Sequence, residues 1–434
     1  MAKPLLIKNA RIVDPATDFD AIGALLVEDG TIIERVTGEH PGAPEGATIR
    51  DAKGMLLSPG LVDMRVFTGE PGHEYRETLS SAAKAAASGG VTSFMCMPDT
   101  LPAIDDGAVV DFIIRRAQAE AIVNVLPAAA ITKGLAGKEI TEFGLLKKAG
   151  AVCLSDGRHS IQSAALLRAA FTYAANFDMT IAHHVADNSL AGGGVMNAGL
   201  FATTLGLKGI PVEAETIPLS RDLQLARMSG VKYHAAQISC SRSVEILAAE
   251  KQSNSKISAG VSINNLTLNE LDVGQYRTFF KLSPPLRAED DRLATIGGLR
   301  AGTIDTIHSG HDPQDAEVKR RPFAEAAEGA IGLETLFAAA LRLVHSGEVP
   351  LMTILGAMTS RPAQILGLNS GRLQKGAPAD FILADIDYPW VVTENSILSR
   401  SQNTSFEGAR FTGKVMATYV AGNCVFEHNR EATD

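Results

Sequence analysis

The sequence has little of what would tie it to nucleic acid, to a membrane or to a disulfide scaffold. Its four cysteines, Cys96, Cys153, Cys240 and Cys424, stand far apart with no CxxC spacing. They read as reduced thiols of a cytoplasmic protein rather than as a disulfide framework or a zinc ribbon. No run of Lys/Arg stands out, and the formal net charge of -9 is the wrong sign for a nucleic-acid surface. No stretch reaches the ~18 apolar residues of a membrane-spanning helix. The opening "MAKPLLIKNARIVD" lacks the apolar centre of a secretion signal. What remains, 434 residues with 45% hydrophobic and 21% charged side chains, suits a soluble protein with a large core.

The two ends of the chain look alike. Residues 1–55 are short apolar runs broken by turns, and "EDG" between two β-branched runs marks a hairpin. Residues 371–434 return to that style, with "AGN" as a second turn signal. The two segments are expected to combine into one composite β-sandwich domain. Between them, residues 56–370 alternate helix and strand: "SSAAKAAASGG" before "VTSFMCMP", "AVVDFIIRRAQAEA" before "IVNVLPAAAI", "ALLRAAFTYAANFD" before "MTIAHHVAD". Repetition of that kind means a parallel sheet with right-handed crossovers. The number of repeats predicts an α/β fold of the (β/α)8 TIM-barrel type. The glycine-rich "AGGGVMNAGL" at 191–200 follows no phosphate-binding pattern and reads as a flexible loop.

In a (β/α)8 barrel, chemistry sits where strands run out at their C-terminal ends. The polar residues there are Arg65, Asp99, Asp156, His183, His184, Gln237, Asn264, Asn265, His308 and His311. Such a scatter suggests a metal-dependent hydrolase, in which a divalent ion makes hydroxide from bound water. A catalytic zinc needs three protein ligands, however. The first strand, "LVDMRVFTGEPG", offers Arg65 and Phe67, and most other strand ends carry amides or glycine. Asp156 with His184 reads as a structural pairing or a remnant, and His234, in mid-strand, as a satisfied core histidine. GxGxxG, GxxxxGK[ST] and GxSxG are all missing.

Taken together, "PGLVDMRVFTGEPGHEYRET", "GGVTSFMCMPDTLPAID", "GVMNAGLFATTLGLKGIPVEAE", "KLSPPLRAEDD", "GAIGLETL", "SRPAQILGL", "GAPADFILAD" and "NTSFEGARFTGKV" resemble a class I dihydroorotase of the amidohydrolase superfamily. The resemblance covers essentially the whole chain, and "EPG", "MPDT" and "NTSFEG" in combination are specific to that branch. It implies an amidohydrolase-type barrel with a composite β-sandwich, in agreement with the reading above.

It also shows what has changed. The His-x-His of the family's first strand falls on Arg65 and Phe67. The bridging carboxylate is kept as Asp156, followed by Gly157 in place of an acidic residue. The strand-five ligand is kept as His184, the strand-six histidine is Gln237, and the catalytic aspartate of strand eight is Gly310, followed by His311. On the substrate side the carboxylate-binding arginine is Gly69, and two asparagines are Asp99 and Ser283. Asp99 places negative charge where an anionic substrate would sit. No catalytic, substrate-binding or metal role is therefore expected of these positions, with Asp156 and His184 the residual metal candidates.

A buried carboxylate left alone is costly, so Arg65 is expected to fill the vacated metal position and pair with Asp156. The alternative is an arginine pointing into a wet cavity. The resemblance implies a catalytically inactive subunit of pyrimidine biosynthesis without a cofactor, a homo-oligomer that assembles with aspartate carbamoyltransferase. Two other readings stay open. One is a cyclic amide hydrolase whose single zinc sits on Asp156, His184 and His311; the other is a small-molecule binding module in which Arg65 reads an anion.

Overall fold

In the computed structural model, residues 3–40 and 42–429 are described. The chain opens with β1 (Leu5–Asp14), β2 (Phe19–Glu28), β3 (Thr31–Thr37), β4 (Thr48–Asp51) and β5 (Leu56–Pro59). Asp29 and Gly30 turn β2 into β3, both with positive φ (44° and 76°). That is the type I′ geometry whose twist matches a hairpin.

Next come β6 (Leu61–Val66), β7 (Val91–Cys96), β8 (Asn124–Ala129), β9 (Cys153–Leu154) and β10 (Thr180–His183). A side ladder of β11 (Met196–Asn197) and β12 (Gly209–Ile210) follows, then β13 (Lys232–Ala235), β14 (Ile257–Ser262) and β15 (Thr306–His308). The side ladder and the helix Leu200–Thr204 lie in and beside the glycine-rich 191–200 stretch, so that stretch is not the plain loop expected of it. Its backbone pairs Met196 with Gly209 and Asn197 with Ile210.

Apart from that ladder, β6 to β15 form one parallel sheet in chain order. It closes on itself through a bridge between Val66 and His311, where the Phe67 N–H donates to the His311 carbonyl (2.9 Å). The result is an eight-stranded barrel with helices between its strands, as the helix–strand alternation predicts. The terminal strands β16 (Phe381–Val391), β17 (Arg410–Val420) and β18 (Asn423–Glu427) join β1–β5 in one sheet, ordered β18-β17-β16-β5-β1-β2-β3, with β4 beside β1. Ile7, Ile12, Leu25, Leu57, Phe381 and Leu383 belong to a core of its own inside that sheet. No helix among the described residues is long and apolar enough to cross a membrane.

Small residues set how closely the layers approach. The helix Leu79–Ser88 is capped by Thr78, whose side chain accepts from the Ser81 N–H, and it buries Ala82, Ala83, Ala85, Ala86 and Ala87. At its end a Cβ on Gly89 would lie 2.0 Å from the Leu333 carbonyl oxygen, so a larger residue would force the backbones apart. The terminal sheet is fastened to the barrel by polar contacts, among them Thr418 Oγ1 to the Ala87 carbonyl (2.6 Å) and Asn124 Nδ2 to Asp380 (3.0 Å).

Inside the barrel wall a polar triad pins β10 and β13 to the helix Glu213–Ser229. The His183 Nδ1–H donates to Asp222 Oδ2 (2.6 Å), and the Tyr233 hydroxyl donates to the same oxygen (3.0 Å). His183 Nε2 accepts the Ile161 N–H (2.9 Å), which puts the ring proton on Nδ1. All three side chains are fully buried. Asp222→Ala therefore strands two donors without water and is expected to cost about 3–5 kcal/mol. Asp222→Asn, which keeps an acceptor, is expected to cost less. Guanidinium unfolding midpoints of the two variants check this, and equal midpoints for wild type and Asp222→Ala would refute it.

Candidate functional site

The C-terminal ends of the barrel strands bring Arg65, Phe67, Gln237, Ser283 and Gly310 to one small cavity, joined by Arg158, Ser262, Asn264, Asp312 and Glu328. Its volume is ≈ 50 Å³. That is room for a few waters and well short of the ~300 Å³ at the small end of ligand pockets. Asp99, Asp156, His184, His311 and Gly69 do not line it.

Arg65 does not pair with Asp156, contrary to the sequence-based expectation. Asp156 has its own partners: Oδ1 accepts the Ile131 and Thr132 N–H groups (2.8 and 2.9 Å), and Oδ2 accepts the Thr132 hydroxyl (2.6 Å). The carboxylate thus staples the end of β8 to the end of β9 and has no need of a cation. Burial raises its pKa in spite of these bonds. The only side-chain hydrogen bond of Arg65 among the described residues is a long one, Nη1 to the Gly157 carbonyl (3.4 Å). Its guanidinium lies 5.3 Å from the Phe67 ring centroid, a cation–π distance. Burial lowers its pKa to about 10, partly offset by the field of Asp99, so it stays charged at neutral pH. Of the two readings of Arg65, the arginine facing a polar cavity is the one the geometry fits.

That fixed charge adds to the effect of burial on its neighbours. Burial, and next the Arg65 cation, hold His184 and His308 far below the usual histidine pKa. His184 Nδ1 is buried without a partner, and the hydrogen bonds of Asp156 go to Ile131 and Thr132. His234, as expected of a core histidine, places Nδ1 2.9 Å from the Ser258 hydroxyl. His311 points elsewhere: Nε2 lies 3.3 Å from Glu77 Oε2, and Nδ1 takes the Gly332 N–H (3.3 Å). Gln237 donates to Asn265 (3.2 Å), and Asn265 donates to the Pro285 carbonyl (3.0 Å). Nowhere among the described residues do three His, Cys, Asp or Glu side chains gather as a metal would need. The residues present do not fit the metal that the fold implies: a cation lies among them, Asp156 and His311 are engaged elsewhere, and the unpartnered ring nitrogens of His184 and His308 have no third ligand beside them.

Arg158 and Asp312 of the cavity wall belong to a strap the sequence did not suggest. Arg158 donates through its backbone N and through Nε to Asp99 Oδ2 (both 3.1 Å), and through Nη2 to Asp312 (3.2 Å). Its guanidinium lies 4.4 Å from the Phe67 ring centroid. The loops after β7, β9 and β15 are thereby joined to one another. Asp99 can take this place only because residue 157 is glycine: a Cβ there would fall 1.3 Å from Asp99 Oδ1. Gly157 also has φ +62°. At Gly69 (φ +72°) a Cβ would come within 2.8 Å of the His73 carbonyl oxygen, so the turn as it stands has no room for a side chain.

The Asp99–Gly157 fit is testable by a double-mutant cycle. Gly157→Ala is expected to cost about 2–4 kcal/mol from steric conflict plus positive-φ strain. In an Asp99→Ala background only the strain remains, about 1 kcal/mol. Chemical unfolding of the four proteins checks this, and an additive cycle would show that the two positions do not share the space.

Comparison with known proteins adds the family. Residues 54–243 match the family model described as dihydro-orotase-like. A dihydroorotase of Geobacter metallireducens is 39% identical over 423 residues, covering 98% of this chain and 99% of that one. A dihydroorotase of Pelobacter propionicus is 41% identical over 422 residues, covering 97% and 99%. Among solved structures, the L-hydantoinase of Arthrobacter aurescens superimposes with a TM-score of 0.89 at 24% identity, covering 98% of this chain and 96% of that one, which speaks for the fold alone. With relatives this similar over nearly its whole length, the chain belongs to the dihydroorotase-like family of amidohydrolase-fold proteins.

Proposed function

We propose that this protein is a non-catalytic member of its family, serving pyrimidine biosynthesis as a structural subunit that assembles with aspartate carbamoyltransferase. The observation that carries the first half is the composition of the barrel mouth. Amide hydrolysis of the family's kind needs a hydroxide made at a metal and a base to move its proton. Here a guanidinium lies among the buried strand-end residues, Asp156 is spent on the Ile131 and Thr132 peptides, and position 310 is glycine. The cavity is also too small for a pyrimidine-ring acid, and Arg158, tied to Asp99 and Asp312, is part of its wall.

Assembly with the carbamoyltransferase rests on the sequence resemblance to inactive dihydroorotase-like subunits. The intact barrel and sheet support it in one respect: a scaffold kept whole around a blocked site has its use at the surface. The same reading has the chain act in the cytoplasm, as a homo-oligomer in the assembly, without a cofactor.

An active hydrolase is the second reading, favoured by the name dihydroorotase that the relatives at 39–41% identity carry. It would use zinc on Asp156, His184 and His311. Those residues would have to leave their present contacts to converge, since Asp156 is held at β8 and His311 at Glu77.

Two measurements separate these readings. The purified chain, supplied with zinc, is expected to interconvert dihydroorotate and carbamoyl aspartate no faster than the buffer and to retain far less than one zinc per chain. Turnover that disappears in His184→Ala would overturn the non-catalytic reading. The mass in solution of the chain mixed with the aspartate carbamoyltransferase of the same organism is expected to show a larger, defined complex. Two separate species would remove the subunit reading.

A further inference from the structure

A surface cleft that shares no residue with the Arg65 cavity gathers positive charge the protein does not balance. Tyr276, Arg277, Thr278 and Phe279 line it from one segment, Lys319, Arg320 and Arg321 from another, with Glu407 beside them. Four cations thus meet one carboxylate, and Glu407 is already paired with Arg277. The chain as a whole has the opposite bias, with 49 acidic and 40 basic residues. Arg320 and Arg321 are exposed, and among the described residues their side chains have no ion-pair or hydrogen-bond partner. Glu317 and Glu325, their acidic neighbours in the chain, do not line the cleft.

Lys319 is 3% exposed, yet its ammonium is bound only by carbonyl groups, those of Thr278 (2.9 Å) and Ala327 (2.8 Å). One of its three N–H groups is left over. Burial lowers its pKa to about 8, and Asp312 and Glu328 act on it only through space. Water can solvate the two exposed arginines, but it gives the buried ammonium no counter-charge. The Thr278 hydroxyl in turn donates to the Lys319 carbonyl (2.5 Å), so the two segments are tied in place.

Tyr276 adds a flat apolar surface. Its backbone is left-handed (φ 63°), a conformation that bulky side chains rarely adopt and that marks functional sites. The ring is 46% exposed, and its hydroxyl donates to the Leu205 carbonyl (2.7 Å), which fixes its orientation. The cleft holds ≈ 380 Å³, within the ~300–1,000 Å³ of small-molecule sites.

We infer that this cleft is a binding site for a nucleoside triphosphate, its phosphates held by Arg320, Arg321 and Lys319 and its base laid on the Tyr276 ring. Guanidinium groups take phosphate oxygens in pairs, and an ammonium takes them as a point charge. Every base has a π-face, so the site is assigned to the class and not to one base. An acidic peptide would use the charges but would leave the fixed ring without a purpose. The inference goes beyond the structural role proposed above and does not depend on it.

The test is equilibrium dialysis of the full chain against ATP or UTP, with tripolyphosphate, adenosine and hexaglutamate as competitors at constant ionic strength. One nucleotide per chain is expected. Tripolyphosphate is expected to compete about 5-fold less well than ATP, for want of a base to stack, and adenosine and hexaglutamate hardly at all. Replacing both exposed arginines, Arg320→Ala with Arg321→Ala, is expected to weaken nucleotide binding about tenfold or more. Tyr276→Asn, which tolerates the positive φ, is expected to weaken it about 5-fold and to make tripolyphosphate as good a competitor as ATP. Absence of saturable nucleotide binding would overturn the site, as would affinity unchanged in the double arginine variant. Tripolyphosphate equal to ATP on the wild-type chain would reduce the cleft to a polyanion surface and refute the nucleotide. Hexaglutamate competing as well as ATP would refute it too, in favour of an acidic protein segment.

Discussion

A positive charge fixed inside a barrel is the constraint on which the rest of this site depends. Arg65 cannot give up its proton at neutral pH even with its pKa lowered to about 10. Its neighbours must therefore accommodate a cation in a medium where charge is poorly screened. His184 and His308 are kept neutral beside it. Asp99 and Asp312 supply negative potential from a distance, and a second arginine, Arg158, bonds to one oxygen of each. Phe67 contributes the face of its ring to both guanidinium groups. A metal ion brought to this place would meet the cation first, which is why the state of Arg65 decides the chemistry before any ligand count does.

Much of the architecture is legible in the sequence because it rests on local signals. The alternation of helix and strand gives the barrel, "EDG" and "AGN" give the two turns, and the similar style of the two ends anticipates that β1–β5 and β16–β18 share a sheet. The 191–200 stretch reads poorly because its pairing partner, Gly209–Ile210, lies beyond any local pattern and each strand is two residues long. The site was legible as a set of departures but not as an arrangement. Asp99 and Gly157 each read as an isolated change, whereas in space they are one: the carboxylate occupies the room that a side chain at 157 would fill. Arg158 and Asp312 carried no signal, since a charged residue in a loop after a strand is ordinary until its partners are seen. Thr132 and Glu77, which hold Asp156 and His311, were equally silent.

The persistence of Asp156 and His311 illustrates how a site can be misread from the residues it retains. Each looks like a surviving metal-site group, and each has structural work that is independent of a metal. Asp156 closes two peptide N–H groups and a hydroxyl where β8 and β9 end, and it is buried there. His311 bonds to Glu77, which also accepts from Ser399 and Ser81, so the ring ties the barrel to segments on either side of it in sequence. Removing either side chain would leave buried polar groups unpaired, at a cost comparable to a sizeable part of a domain's net stability. A residue with such a structural duty would be kept whether or not a metal were bound, so its presence does not argue for one. The retained carboxylate and imidazole are thus weak witnesses for a metal here, and the stronger one is the guanidinium at position 65.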